Sequence, residues 1–118
     1  MLLRIDPDST AALYDQIAGS VRRETAAGRL AAGDRLPSAR EVAAALDVNL
    51  HTVLKAYQLL RDEGLVEMRR GRGAVISARA DALAELRAEA AALAARARAL
   101  GVGPDVLAAL VRAAGEDA

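Results

Sequence analysis

The sequence has no cysteine, no phenylalanine, no tryptophan and a single histidine in 118 residues. The lack of cysteine excludes disulfides and thiolate chemistry, and one histidine alone cannot build a histidine-rich metal site. The H-E-x-x-H and EF-hand patterns are also missing, so we expect neither a metal nor a cofactor. With two tyrosines as the only aromatic residues, the core must consist of leucine, valine and isoleucine, and the abundant alanine favours helices.

Long apolar runs and catalytic constellations are missing as well. No run approaches the roughly 18 residues that span a bilayer, and the first residues lack the apolar stretch of a secretory signal. We therefore expect no membrane association and a cytoplasmic location. No Ser-His-Asp arrangement or pair of carboxylates stands out, so we predict that the protein is not an enzyme.

The net charge is zero, but the charge is unevenly distributed along the chain. Residues 1–79 contain 12 basic and 10 acidic side chains, whereas residues 80–118 contain 4 basic and 6 acidic ones. The densest cluster is Arg69-Arg70-Gly71-Arg72. Because a local basic patch matters more for nucleic-acid binding than the summed charge, the first part of the chain is the candidate for an anionic partner.

Three helices are predicted before this cluster. Asp8-Ser9-Thr10 offers N-capping side chains for the first helix. The second begins at Ser38-Ala39-Arg40-Glu41, a capping box in which the serine caps the glutamate amide and the glutamate reaches back. This helix stops at Asp47, and Asn49 caps the third. Two helices joined by so tight a turn are a candidate helix-turn-helix.

A basic β-hairpin follows the third helix. Leu65–Met68 and Ala74–Ile76 are predicted strands, joined by the glycine-bearing loop Arg69-Arg70-Gly71-Arg72-Gly73. Three helices followed by a hairpin is the order of a winged helix-turn-helix. We therefore predict a mainly α fold with a small β-hairpin wing, followed by two C-terminal helices.

The C-terminal part carries a heptad pattern of apolar residues between residues 83 and 100, then a last helix from Pro104. This seam can pack on its own DNA-binding domain or on a second subunit, and we favour the second subunit because two helices cannot bury their apolar faces alone. We predict a DNA-binding domain at residues 1–78 and a dimerisation tail at residues 79–118. The candidate dimerisation residues are Leu83, Leu86, Ala90, Leu93, Ala97, Leu100, Leu107, Leu110 and Val111.

Several short motifs follow one another in a fixed order and spacing between residues 33 and 77. They are Leu36-Pro37-Ser38-Ala39-Arg40-Glu41-Val42-Ala43, Val48-Asn49-Leu50-His51-Thr52-Val53, Ala56-Tyr57, Gly64-Leu65-Val66 and Arg70-Gly71-Arg72-Gly73. Together they resemble the DNA-binding domain of the GntR family of bacterial regulators. The short tail is similar to that of the YtrA-type branch, whose members keep a two-helix dimerisation tail.

The resemblance implies a sequence-specific transcriptional regulator that binds double-stranded DNA, acting as a homodimeric repressor on a palindromic operator. The DNA-binding residues expected on this basis are Arg35, Ser38, Arg40, Asn49, His51, Thr52, Lys55, Arg70, Gly71 and Arg72. Leu50 and Leu54 depart from the pattern, because other branches often place arginines there that reach DNA. No DNA contact is therefore assigned to these two leucines.

Other interpretations stay open at this point. Arg40 can form a surface salt bridge with Glu41 or Asp47 instead of contacting DNA. Tyr57 is expected to pack against the wing or the first helix, although its hydroxyl can also reach a phosphate. As a whole, the protein can alternatively be a winged-helix adaptor that binds proteins and not DNA. The existence of a small-molecule effector is left open.

Overall fold

The structure is a computed structural model, and it describes residues 3–117. The element order is α1 (Leu13–Ala26), α2 (Ala39–Leu46), α3 (Leu50–Asp62), β1 (Val66–Arg69), β2 (Gly73–Ile76), α4 (Arg79–Ala99) and α5 (Pro104–Asp117). Three helices and a two-stranded antiparallel hairpin form a winged helix-turn-helix, and two helices follow. The predicted fold class is confirmed.

The core of the first unit lies where α1 and α2 pack against α3. Ile17 and Val21 are one helical turn apart on α1, and Val53 and Leu60 are two turns apart on α3, so each pair shares a face. All four side chains are fully buried, together with Ile76 of β2. Burial of one such side chain stabilises the fold by about 1.5–3 kcal/mol, and the core is therefore mainly aliphatic, as expected from the small number of aromatic residues.

The start of α1 differs from the prediction. Its N-cap residue is Ala12, which makes no side-chain cap hydrogen bond. The Ser9 hydroxyl instead accepts a hydrogen bond from the Ala11 amide at 3.1 Å, and the Asp8 amide donates to the Asp6 carboxylate at 3.0 Å. The prediction that Asp8-Ser9-Thr10 caps this helix is therefore wrong, because the side chains of Asp6 and Ser9 accept hydrogen bonds from the backbone of the turn that precedes the helix.

The caps of α2 and α3 largely follow the prediction. The Ser38 hydroxyl accepts a hydrogen bond from the Glu41 amide at 3.1 Å, and the Asn49 side chain accepts one from the His51 amide at 2.8 Å. Asp47 ends α2 in the left-handed conformation, with φ of 54°. Within residues 3–117, no return hydrogen bond joins Glu41 to the Ser38 amide, so only half of the predicted capping box forms.

The hairpin is extended by the segment that precedes α2. β1 and β2 pair from Val66↔Ile76 to Arg69↔Gly73, and Arg35 forms an isolated antiparallel bridge to Val75. The Leu36 amide donates to the Ala74 carbonyl at 2.9 Å. These backbone bonds fix the entry to α2 beside the wing.

By internal contacts, the chain divides into one unit that ends at Glu85 and another that begins at Leu86. The division lies inside α4, after the predicted boundary at residue 78. Its physical reason is that Ala80 is buried in the core of the first unit and Leu83 packs against the same core. Leu83 therefore contacts the first unit of its own chain. From the heptad pattern, this packing was the less favoured of the two alternatives.

The second unit contains the rest of α4 and all of α5. Ala97 is buried, and its carbonyl accepts a hydrogen bond from the Val102 amide at 2.8 Å where the chain leaves α4. Most large aliphatic side chains of this unit are instead exposed, although Val102 and Leu107 are half-buried, and α5 has no buried residue. No helix within residues 3–117 is long and apolar enough to cross a membrane.

Candidate nucleic-acid interface

A cleft of about 540 Å³ opens between the entry to α2, one face of α3 and the hairpin. It brings together three separate stretches of the chain, within residues 35–40, 50–61 and 68–74. The side chains that matter for its chemistry are Arg35, Ser38, Arg40, Leu50, Leu54, Tyr57, Gln58, Arg61, Met68 and Arg72. Four arginines thus share a cleft with an apolar floor.

The four cleft arginines are exposed, and none has a carboxylate partner within residues 3–117. Salt bridges in residues 3–117 join Arg22 to Glu63, Arg29 to Glu24 and Arg69 to Glu67, and none involves Arg35, Arg40, Arg61 or Arg72. The interpretation of Arg40 as a surface salt bridge with Glu41 or Asp47 therefore has no support. A guanidinium without a carboxylate partner can bind a phosphate or a guanine without first breaking an ion pair.

Two of these arginines are held beside the hairpin, Arg35 by backbone pairing and Arg72 by a side-chain hydrogen bond. Arg35 lies opposite Val75 in the isolated bridge. The Arg72 guanidinium donates to the Gly33 carbonyl at 3.4 Å, which connects the wing loop to the segment that leads into α2. The positions of both arginines therefore depend on the same short stretch of extended chain.

Tyr57 connects α3 to the turn before α2. Its side chain is buried, and its hydroxyl donates a hydrogen bond to the Pro37 carbonyl at 2.7 Å. Burial raises the pKa of Tyr57, and the Glu41 carboxylate raises this pKa further. The residue packs, as favoured from the sequence, but its hydroxyl is engaged by the turn and is not free for a phosphate. This hydrogen bond joins α3 to the backbone directly before Ser38.

The polar start of α3 lies beside the cleft and not in its lining. Asn49 and His51 are exposed and Thr52 is half-buried. Because Asn49 uses its side-chain oxygen as the helix cap, its amide nitrogen remains available as a donor. His51 has no metal-binding neighbourhood, since no group of three or more His, Asp or Glu residues within the described part of the chain could hold an ion.

Lys55 is placed differently from expectation. Its ammonium lies 4.0 Å from the centre of the Tyr14 ring on α1, and it does not line the cleft. An ammonium over an aromatic face is attracted by the electrons of the ring. The prediction that Lys55 faces the DNA backbone therefore gains no support from this geometry.

The wing loop presents two arginines on a tightly turned backbone. Arg70, Gly71 and Arg72 are exposed, whereas the neighbouring Arg69 pairs with Glu67 at 3.1 Å. Gly71 has φ of 81°, and a Cβ added there would meet no atom within 4 Å. Glycine is therefore favoured at this position by the backbone conformation and not by lack of space.

Sequence reasoning missed several residues of the cleft. Gln58, Arg61 and Met68 were not predicted, and Leu50 and Leu54 were set aside. The helical period held a signal for α3, because positions 50, 54, 58 and 61 follow one another at intervals of three or four residues and so share one face. The hairpin residue Met68 carried no comparable signal, since an alternating strand pattern does not say which face meets a helix.

Comparison with known proteins agrees with this geometry. Residues 13–76, more than half of the chain, match the family described as "Bacterial regulatory proteins, gntR family". The HTH-type transcriptional repressor YtrA of Bacillus subtilis is 42% identical over 76 residues, which cover 64% of this chain and 58% of that protein. The chain thus matches less than two thirds of the length of this relative.

Two solved structures extend the similarity beyond the first unit. YtrA from Sulfolobus acidocaldarius, a GntR-family transcription factor, superposes with a TM-score of 0.62 and 37% identity, covering 78% of this chain and 99% of that one. A GntR-family transcriptional regulator from Listeria monocytogenes gives a TM-score of 0.64 and 28% identity, covering 89% and 96%. The chain belongs to the GntR family of bacterial regulatory proteins.

Proposed function

We propose that this protein binds double-stranded DNA sequence-specifically and represses transcription by occupying an operator near a promoter. The observation that carries the proposal is the group of four exposed arginines around the cleft, none of which has a carboxylate partner among residues 3–117. Such an arrangement suits a duplex, whose phosphates supply the missing negative charge. The name of the Bacillus relative, a transcriptional repressor, supports the direction of regulation.

In this proposal, α3 and the wing enter the two grooves of DNA, as the corresponding elements of a winged helix-turn-helix do. The N-terminal end of α3, with Asn49, His51 and Thr52, enters the major groove, where such residues contact base edges. Arg70 and Arg72 at the tip of the wing reach the minor groove, which attracts arginine where it is narrow. Arg40, at the start of α2, contacts a phosphate or a guanine. Phosphate contacts then supply affinity, and base contacts supply specificity.

We further propose that two copies of the chain form a homodimer through the second unit. A stable unit does not leave so many large aliphatic side chains in water, and a second copy covers them with the same surface in a twofold arrangement. A twofold dimer places two recognition helices about 34 Å apart, in successive major grooves of a palindromic site. The exposed residues are Leu86, Leu93, Leu100, Val106, Leu110 and Val111.

The DNA-binding proposal is tested with duplexes that the purified protein selects from a random pool. Affinity for a selected duplex should fall steeply as salt rises, because each neutralised phosphate releases counterions. Arg40→Ala should weaken binding by about tenfold or more, the usual effect of losing a hydrogen bond to a charged group. The matched control is Arg23→Ala, an exposed arginine of α1 outside the cleft, which should bind normally.

Two results would refute this proposal: selection that enriches no duplex, or binding that does not depend on salt. The dimer is tested separately by light scattering on the eluting protein. Wild-type protein should have the mass of two chains, and Leu93→Asp should shift it towards one chain while circular dichroism stays unchanged. If wild-type protein is monomeric at every concentration, the twofold arrangement is refuted. The DNA-binding proposal is not affected by this result, because the selection of duplexes tests it separately.

A further inference from the structure

The floor of the cleft is apolar where the recognition helix contributes to it. Leu54 is 46% exposed and Met68 of β1 is 58% exposed, and the half-buried Leu50 lies one turn before Leu54 on the same face. Large aliphatic side chains on a DNA-facing helix have no phosphate to bind and no hydrogen bond to give. The contacts proposed above leave these leucines without a role.

We propose that Leu50 and Leu54 recognise thymine in the operator through its 5-methyl group, an inference that rests on the DNA-binding function proposed above. Thymine is the base that presents an apolar group in the major groove, where adenine, guanine and cytosine present donors and acceptors. A leucine cannot distinguish bases by hydrogen bonding, but it can cover a methyl group and exclude water from it. The two leucines are thus specificity-determining residues.

Charge complementarity identifies DNA as the occupant of this apolar floor. Arg40 and Arg61 line the same cleft and have no carboxylate partner within residues 3–117. In a duplex, each base edge lies between two sugar–phosphate backbones, so an apolar floor with cationic edges matches a methyl group with phosphates beside it. An apolar peptide or small molecule would leave these guanidinium groups without counter-charges.

The spacing of the two leucines also limits where the thymines lie. Residues four apart rise about 6 Å along a helix, while successive base pairs rise about 3.4 Å. Leu50 and Leu54 can therefore cover methyl groups one or two base steps apart. At these positions we expect A·T pairs in the operator and not G·C pairs, because neither leucine can bind guanine O6 or N7.

The test exchanges thymine for uracil, which removes the methyl group and keeps every hydrogen-bonding atom. A duplex selected by the wild-type protein is synthesised with thymine throughout and with single thymines replaced by uracil in turn. Removal of a contacted methyl group should weaken binding about fourfold, which corresponds to the burial of one carbon. Uracil at thymines outside the contacted steps should have no effect.

Variants assign each sensitive position to a leucine. In Leu54→Ala, the difference between thymine and uracil should disappear at one position and persist at the position covered by Leu50, and Leu50→Ala should show the converse. Leu54 is 46% exposed, so its replacement should lower the thermal midpoint only slightly. The matched control is Leu13→Ala on α1, also an exposed leucine at 39% and outside the cleft, which should keep the wild-type pattern.

The possible failures are distinguishable. Equal affinity for thymine and uracil at every position in the wild-type protein would overturn the inference while leaving DNA binding intact. Persistence of the thymine preference in both leucine variants would overturn it as well, because the methyl groups would then be read elsewhere. Failure to select any duplex would refute the proposed function itself, and this inference with it.

Discussion

Replacement of Tyr57 by phenylalanine removes one buried hydroxyl and tests whether that hydroxyl holds the turn that carries the cleft arginines. The ring fills space in the core and is 7% exposed, and phenylalanine keeps it. The variant loses the hydrogen bond to the Pro37 carbonyl, which is 2.7 Å long. The change therefore isolates a single polar contact between α3 and the entry to α2.

The expected magnitude follows from the burial of the two partners. A typical internal hydrogen bond contributes about 0.5–1.5 kcal/mol, and leaving a buried partner unsatisfied costs about 1–3 kcal/mol. Because Pro37 is half-buried, water can replace part of the lost donor. We expect Tyr57→Phe to lower the free energy of unfolding by about 1–1.5 kcal/mol, measured by urea denaturation at neutral pH.

The same variant should change the pH dependence of stability. Burial and the Glu41 carboxylate raise the pKa of Tyr57 above the ordinary value of about 10. The folded state then holds the phenolic proton more tightly than the unfolded state does. This contribution to stability is fully present below about pH 10 and is lost as the pH rises further. Part of the alkaline loss of stability should therefore disappear in Tyr57→Phe.

The control is Tyr14→Phe, which keeps the ring that Lys55 covers and removes a hydroxyl that makes no hydrogen bond within residues 3–117. It should have wild-type stability at neutral pH. The reasoning fails if Tyr57→Phe is as stable as the wild type, or if both proteins lose stability identically above pH 10. A normal urea midpoint combined with weaker DNA binding would also contradict the prediction. The cleft would then have changed although the loss of the Tyr57 hydrogen bond had not lowered the free energy of unfolding.

Three further changes test separate parts of the structure. Asp47→Gly should raise the free energy of unfolding by about 1 kcal/mol. Asp47 has φ of 54°, and glycine adopts this left-handed conformation without the steric cost of a Cβ atom. A lower urea midpoint would contradict this prediction. Gly64→Ala should lower the thermal midpoint, with a loss above about 1 kcal/mol, because Gly64 has φ of +81°. The new Cβ would also lie 2.9 Å from Cζ of Arg79, but the end of this flexible side chain can move, so the backbone conformation carries the cost. An unchanged melt would refute the strain. Arg61→Ala should weaken DNA binding for all sequences alike and reduce the salt slope by about one; a changed base preference would instead make Arg61 a base contact.

Features set by local chemistry could be predicted from the sequence. The caps at Ser38 and Asn49 and the left-handed Asp47 depend on side chains within three residues of the backbone that they serve. Such interactions follow from residue type and spacing. The wrong prediction for the α1 cap has the same origin. The Ser9 hydroxyl can accept a hydrogen bond either in a turn or as a helix cap, and in the structure it accepts one in the turn.

Features set by the relative placement of elements could not be predicted. Lys55 and Leu54 are adjacent on α3, yet one lies over Tyr14 and the other lines the cleft. The helical period groups Leu54 with Arg61, but it does not say which face of α3 meets the hairpin. That choice depends on how α1 and α2 pack against α3, which is a tertiary property.

The placement of charge around the cleft accounts for the two leucines that depart from the family pattern. An arginine on α3 at position 50 or 54 would combine affinity and base recognition in one side chain. Here the cations come from the rim instead, from Arg35, Arg40 and Arg72 outside α3 and from Arg61 at its far end. Phosphate binding therefore does not require a cation at position 50 or 54, where the helix faces the base edges. Apolar side chains can then form the floor of the cleft at these two positions. Under this division, substitutions at the rim should change salt dependence, whereas substitutions in the floor should change base preference.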